Sequence, residues 1–111
     1  MDRIDAQQLK ADVYNIVGQI PFGRVLTYGD IARLAGYPNL SRMVGHILST
    51  VPPSLRLPCH RVVNASGHLA PHWPQQQQLL EAEGVSVRTS KNGTAKISLE
   101  KYRMRLSSLS L

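Results

Sequence analysis

Two short helical patterns separated by a glycine turn constrain the fold of this chain more than any other feature. Thr27 followed by Asp30 is a capping-box pattern, which predicts a helix over Tyr28 to Ala35 that ends at Gly36. After the turn GYPN, apolar residues recur at helical spacing and predict a second helix over residues 40–49. The apolar positions of this second helix are Leu40, Met43, Val44, Ile47 and Leu48. Two short helices joined in this way predict a helix-turn-helix.

The outward face of the second helix is small and basic. It carries Ser41, Arg42, Gly45, His46 and Ser49. A glycine in mid-helix costs roughly 1 kcal/mol relative to alanine, so its presence suggests that something approaches the helix backbone closely. The spacing leaves two interpretations open: a nucleic-acid groove, or a neighbouring helix that packs at Gly45.

The other elements predict an α+β fold of the winged-helix type, with a C-terminal β-hairpin as the wing. Asp5 is a possible cap for a first helix that extends to Ile20. The remaining predictions are, in chain order, a β-like run over CHRVV (59–63), a helix from Pro74 to Gly84, a hairpin of strands 85–89 and 94–99 around the turn SKNG, and a short helix over 100–106.

Length and charge limit what this fold can do. The 111 residues predict one domain over 1–111, which we expect to be a monomer. Lys and Arg number 13 against 7 Asp and Glu, and the net charge of +6 favours a polyanionic partner without proving one. One cysteine excludes an internal disulfide, and the sequence has neither a membrane-spanning apolar run nor a signal core. We therefore expect a cytoplasmic protein, or a nuclear one if the source is eukaryotic, with no membrane partner.

The single cysteine, Cys59, is followed directly by His60, and a thiol beside a base can be a nucleophile. On a regular strand the two side chains would point to opposite faces, so cooperation requires a bend in the backbone or a bridging water. Glu81 and Glu83 are the candidates for a carboxylate that orients the imidazole. The alternative is an inert packing cysteine.

We expect no metal and no cofactor. His68 and His72 have an H-x3-H spacing, but Pro71 argues against a helix that would place both on one face, and the chain has no second cysteine.

Three segments together resemble the DNA-binding, active-site domain of the O6-alkylguanine-DNA alkyltransferases, from about Val13 to about Val87. They are IPFGRVLTYGDIA, ARLAGYPNLSRMVGHIL and PCHRVV. The resemblance implies that Cys59 is the alkyl acceptor, that His60 is a base acting through a water, and that Glu83 orients the histidine. It implies that Tyr28 helps to rotate the damaged nucleotide and that Arg42 fills the gap left in the stack.

The same resemblance implies that the helix-turn-helix enters the minor groove, where small residues such as Ser41 and Gly45 allow close approach. It places Pro58, Cys59 and Trp73 around the alkyl group of a flipped base. Transfer of that group to the thiolate would give a thioether with no easy route back, so such a protein acts once.

Three departures from the alkyltransferase pattern point to a relative that does not repair the lesion itself. The chain begins almost at the active-site domain, the Tyr-Ser-Gly-Gly loop is missing, and Val51 occupies the position of an asparagine. These are features of the alkyltransferase-like proteins, which bind and flip O6-alkylguanine and pass it to nucleotide excision repair. In that group the acceptor position is commonly tryptophan, whereas here it is Cys59.

Three hypotheses follow. The first is a lesion-binding protein that marks O6-alkylguanine for nucleotide excision repair. The second is a single-turnover methyltransferase that uses Cys59. The third is a winged-helix regulator with an idle thiol.

Overall fold

A computed structural model describes residues 5–106, so residues 1–4 and 107–111 of the predicted domain lie outside the described range. Within that range the chain forms helices α1 (Ala6–Gly18), α2 (Tyr28–Leu34), α3 (Ser41–Ser49), α4 (Gln75–Ala82) and α5 (Leu99–Tyr102). The strands are β1 (Leu26–Thr27), β2 (Val62–Val63), β3 (Arg88–Thr89) and β4 (Ala95–Lys96). The predicted α+β class is confirmed, and none of the described helices is long and apolar enough to cross a membrane.

The first two helices begin where the local sequence predicts. The Asp5 carboxylate accepts the backbone N–H groups of Gln7 and Gln8, at 3.0 and 3.1 Å, and so caps α1. At α2, the Thr27 hydroxyl accepts the Asp30 N–H while the Asp30 carboxylate accepts the Thr27 N–H, both at 3.0 Å. This reciprocal capping box fixes the angle at which β1 leads into α2.

Helices α1, α2 and α3 pack around one apolar cluster, and the predicted stripe of α3 is only partly buried in it. Val44 and Ile47 are buried, but the Met43 side chain is 44% exposed. Met43 lines a shallow groove between α1 and α3 instead. Met43 remains exposed because the apolar stripe of α3 is wider than the surface that its neighbours cover.

The two-stranded parallel sheet positions the cysteine. Leu26 pairs with Val62 and Thr27 with Val63, which places the segment before β2 beside the start of α2. The predicted β-like run over 59–63 is wrong for its first three residues, since Cys59–Arg61 form a 3-10 turn. The Arg61 N–H donates to the Pro58 carbonyl at 2.9 Å and so closes this turn, whereas in a strand the same N–H would bond to a neighbouring strand.

The hairpin is shorter than the predicted strands. Within the hairpin, the ladder is limited to the two-residue strands β3 and β4, with Arg88 opposite Lys96. Val85 and Ile97 are buried in a second apolar cluster, and their N–H groups bond to the carbonyls of Leu80 and Gly67, both at 3.0 Å, instead of extending the hairpin ladder. Tertiary packing therefore overrides the β pattern at both outer ends of the hairpin.

The last helix is also shorter than predicted, because the chain leaves helical geometry at Arg103. Arg103 forms a bridge with Val25, and its guanidinium donates to the buried Asp30 carboxylate at 3.0 Å. The C-terminal segment is thus tied to the first turn of α2.

Candidate functional site

A cavity of about 410 Å³ lies between the C-terminal end of α3, the proline-containing loop after it and the 3-10 turn. We call it the Cys59 cavity. Its walls are formed by Leu48, Ser49, Val51, Pro52, Pro53, Arg56, Leu57, Cys59, His60, Trp73 and Leu79. The structure therefore brings Cys59 and Trp73 together, as the predicted alkyl pocket requires, whereas Pro58 is not among the lining residues. Val51, where the resemblance predicts the family's asparagine position, contributes an apolar side chain to the wall.

Glu83 is the carboxylate that meets His60. One Glu83 oxygen, Oε2, lies 2.6 Å from His60 Nε2, while Glu81 is exposed on the surface. The 3-10 turn supplies the bend that a regular strand would lack between consecutive side chains. With Nε2 held by Glu83, only the Nδ1 atom of the His60 ring remains to interact with a water or a thiol.

Glu83 is also held by groups that the sequence did not single out. Arg61 donates Nε and Nη2 to the carboxylate at 2.8 to 3.1 Å, and the Gly23 N–H donates to Oε1 at 2.8 Å. Arg61 also donates from Nη1 to the Ile20 carbonyl oxygen at 2.8 Å. We call Glu83, His60, Arg61 and the Gly23 amide the Glu83 cluster.

The Glu83 cluster keeps its carboxylate ionised. Burial of the Glu83 side chain opposes ionisation, but the hydrogen bonds from Arg61, Gly23 and His60 outweigh it and lower the pKa of Glu83 to about 2, from an ordinary 4.5. Near neutral pH, Glu83 can therefore orient the imidazole and stabilise its cation, but it does not take up the proton.

The Cys59 thiol has the opposite environment. Within residues 5–106 no hydrogen bond joins its Sγ to another side chain. Burial raises the pKa of Cys59 above its ordinary value of 9.0, and the thiol is therefore predominantly protonated at neutral pH. In this state the thiol is a weak nucleophile.

The Gln76 side chain stabilises the 3-10 turn by hydrogen bonds to its backbone, a role that was not predicted from the QQQQ tract. Its side chain is 1% exposed and donates to the carbonyls of His60 and Val62, at 3.2 and 2.9 Å. Its oxygen accepts the Ala70 N–H at 2.7 Å, so the buried amide is fully used. Helix α4 thus locks the turn through Gln76.

The predicted DNA-contacting residues lie on α2 and α3. Ser41 and Arg42 occupy the first turn of α3, and the Arg42 side chain is exposed. Gly45 faces the Tyr28 ring, which would lie 3.8 Å from a Cβ added at Gly45. This is an ordinary van der Waals distance, so the packing of α2 against α3 does not by itself require a glycine at position 45.

Tyr28, the first residue of α2, packs against Gly45 of α3 and lies near Cys59, but it does not line the Cys59 cavity. Burial, and next the nearby Cys59, raise the pKa of its phenol above the ordinary value. The Tyr28 hydroxyl is therefore neutral at physiological pH and able to donate a hydrogen bond.

Comparisons with known proteins agree with this geometry. The DNA base-flipping protein of Escherichia coli is 46% identical over 94 residues, which are 82% of this chain and 70% of that protein. Alkyltransferase-like protein 1 of Schizosaccharomyces pombe is 37% identical over 95 residues, which are 81% of this chain and 88% of that protein. The crystal structure of this yeast protein in complex with damaged DNA containing O6-carboxymethylguanine matches with a TM-score of 0.85 at 34% identity, over 94% of this chain and 99% of that chain.

The O6-methylguanine methyltransferase of Mycobacterium tuberculosis is a more distant match. Its TM-score is 0.54 at 30% identity, and the match covers 75% of this chain but only 50% of that chain. Residues 8–85, more than half of this chain, match the model of the DNA-binding domain of 6-O-methylguanine DNA methyltransferases. The resemblance predicted from the sequence is confirmed, and the chain belongs to the 6-O-methylguanine DNA methyltransferase family through its DNA-binding domain.

Proposed function

We propose that this protein binds O6-alkylguanine in duplex DNA through the minor groove, rotates the damaged base into the Cys59 cavity and holds it there as a mark for nucleotide excision repair. The observation that carries the proposal is the Cys59 cavity itself. It opens beside the end of α3, has an indole in its wall and is large enough for an alkylated base.

The DNA-binding side of the proposal rests on the start of α3. Arg42 is exposed there without an ion-pair partner among the described residues, and Leu40 at the N-cap provides no side-chain oxygen for the first N–H groups. Free N–H groups at a helix N-terminus suit a phosphate, and the net charge of +6 favours DNA in general. In this proposal Arg42 occupies the gap that the flipped base leaves, and Tyr28 contacts the rotated nucleotide.

The cavity wall favours holding the base over reacting with it. Trp73 offers an aromatic face on which a purine can stack, and Val51 provides an apolar contact where an asparagine would have supplied hydrogen bonds. The thiol beside them is kept protonated by burial. An unreacted lesion that stays in the cavity is what a marking function requires.

Single-turnover transfer is the second candidate function, and one observation favours it: the link between His60 and Glu83, at 2.6 Å, is intact. In this reaction His60 takes the thiol proton through a water, and the thiolate attacks the alkyl carbon. The C–S bond forms as the C–O bond breaks, and the guanine anion leaves and takes up a proton.

Incubation with duplex DNA containing O6-methylguanine separates the two candidates. We expect binding that prefers the damaged duplex and a protein mass that does not change. A gain of one methyl group on the Cys59 peptide would establish transfer instead, and equal affinity for damaged and undamaged duplexes would contradict both. The Cys59→Ser variant is the control, because it cannot form the thioether and we expect it to keep the preference for the lesion.

A further inference from the structure

A larger cavity, of about 810 Å³, lies beside the hairpin and shares no lining residue with the Cys59 cavity. We call it the hairpin cavity. It is lined by Ala65, Ser66, Ser86, Arg88, Lys96, Ile97, Ser98, Leu99, Lys101 and Tyr102. No residue of the helix-turn-helix contributes to it.

The hairpin cavity opens on the face of the hairpin that is turned away from Trp73. Ala95 lines a different cavity, which also contains Trp73, whereas the next residue, Lys96, lines the hairpin cavity. Successive residues of a strand point to opposite faces, so the hairpin separates the two cavities. A ligand in the hairpin cavity therefore leaves the Cys59 cavity free.

The hairpin cavity carries three exposed cations and no acid. Arg88 lies directly opposite Lys96 in the register of the hairpin, and Lys101 completes the group. None of the three forms an ion pair with a carboxylate within the described residues. Like charges directly opposite each other destabilise a two-stranded ladder, and an anion placed between Arg88 and Lys96 would relieve this repulsion.

The floor of the same cavity is apolar. Ile97, Leu99 and Tyr102 belong to the second apolar cluster and form the floor beneath the cationic rim. An apolar centre with a charged rim is typical of a surface that binds a protein segment. A DNA backbone would leave the apolar floor unused, and no residue of α2 or α3 lines the cavity.

We propose that the hairpin cavity binds a short acidic segment of a partner protein. Carboxylates of the segment pair with Arg88, Lys96 and Lys101, and an apolar side chain between them rests on the floor. This site goes beyond lesion binding and does not depend on it, because it can be occupied with or without DNA.

Fluorescence anisotropy with a labelled peptide of alternating glutamate and leucine tests the proposal on the full chain. The variant Lys96→Glu replaces a like-charge pair by an opposite-charge pair, so its hairpin is not destabilised. We expect this variant to bind the peptide at least about tenfold more weakly than the wild type. The matched control is Lys91→Glu, which makes the same charge change in the turn of the same hairpin and which we expect to bind almost as the wild type does.

The proposal would be overturned by no binding of the peptide to the wild type, by equal weakening in both variants, or by equally tight binding of a peptide of alternating glutamate and serine. If Lys96→Glu weakens binding to an undamaged duplex more than Lys91→Glu does, the cavity contacts DNA and the protein-segment proposal is wrong. A saturating lesion duplex should leave peptide binding unchanged. Loss of the preference for damaged DNA would be seen separately, in a titration without peptide, and would count only against the proposed lesion binding.

Discussion

Two consecutive residues of the 3-10 turn have opposite environments, although the predicted chemistry would require them to act together. On the His60 side, the Glu83 carboxylate accepts hydrogen bonds from Arg61 and Gly23, contacts the imidazole, and is 7% exposed. On the Cys59 side, the thiol has no side-chain hydrogen-bond partner within the described residues, and burial raises its pKa.

The difference indicates what each side of the turn does in this protein. The Glu83 cluster ties the turn to the loop after α1 and to the end of α4, so it has a structural role that persists whether or not the thiol reacts. On the thiol side, Cys59 lines the cavity, and burial raises its pKa, which disfavours the nucleophilic thiolate. Retention of the histidine and the glutamate is therefore compatible with a protein that binds the lesion without transferring the alkyl group.

The largest effect on stability is expected from a substitution that removes the negative charge of Glu83. Glu83→Gln leaves the Arg61 guanidinium, 17% exposed, without its anionic partner. We expect the free energy of unfolding at pH 7 to fall by about 3 kcal/mol, measured by denaturant titration. The control Glu81→Gln alters an exposed carboxylate two residues away in sequence and should change stability by less than about 0.5 kcal/mol. Equal effects of the two substitutions would show that the cluster is not structural.

The acid dependence of stability follows from the same carboxylate. The pKa of Glu83 is lowered by folding, to about 2 from 4.5. The stabilisation from its ionised form is thus complete above pH 4.5 and is lost as the pH falls toward 2. The Glu83→Gln variant should lack this component, so its unfolding free energy should fall less steeply in that interval. Parallel profiles for the variant and the wild type would contradict the assignment.

The next largest effect is expected in DNA affinity, on substitution of the two proposed base-flipping residues. We expect Arg42→Ala and Tyr28→Ala each to weaken binding to an O6-methylguanine duplex by about tenfold or more, in an anisotropy titration. Lys10→Ala, which removes one exposed charge from α1, is the control for general electrostatics. Tyr28→Phe keeps the ring that packs on Gly45 and tests the hydroxyl alone. If both alanine variants bind as Lys10→Ala does, the base-flipping roles are wrong.

A smaller effect is expected from a substitution in the loop whose Gly23 N–H donates to Glu83. Gly23 has φ of +79°, and a Cβ there would lie 3.3 Å from the Glu83 carbonyl oxygen. Gly23→Ala should cost about 1–2 kcal/mol of stability, and weakening of the Gly23 hydrogen bond should raise the pKa of Glu83 in the folded protein, so the acid-induced loss of stability should be smaller and should level off at a higher pH. Gly36→Ala is matched in backbone strain, with φ of +94°, but meets no atom within 4 Å. A shift of the acid profile in both variants would remove Gly23 from the Glu83 cluster.

The smallest effect has the opposite sign. A Cβ at Gly45 would lie at ordinary contact distance from Tyr28, 3.8 Å, so Gly45→Ala should stabilise α3 by roughly 0.5–1 kcal/mol in thermal unfolding. If lesion affinity nevertheless falls, the small residue serves the approach to DNA. If both stability and affinity rise, the glycine only accommodates Tyr28.

Local patterns predicted much of the fold, and they failed where distant parts of the chain decide. The capping box of Thr27 and Asp30 involves neighbours in sequence, and it forms as predicted. The strand predicted through Cys59 fails because Pro58 and the buried Gln76 amide hold a 3-10 turn there. No local pattern connects Gln76 to the backbone of a turn 14 to 16 residues earlier.

The candidate site shows the same division. The PCHRVV motif identified Cys59 and His60 as candidate site residues. Spacing left both Glu81 and Glu83 as candidates for the carboxylate that orients the imidazole, and the resemblance to the alkyltransferases favoured Glu83. The Gly23 amide lies 60 residues from Glu83 in sequence, so the contribution of that amide is visible only in the folded chain.

The pH dependence of the reaction of Cys59 with iodoacetamide shows directly whether the thiol is activated, because Cys59 is the only cysteine in the chain. The rate follows the thiolate fraction. We predict an inflection above the ordinary cysteine value of 9.0, and a slow reaction at pH 7. An inflection near or below neutrality would show a thiol activated by His60, and would contradict the view that this protein binds the lesion and leaves it unrepaired.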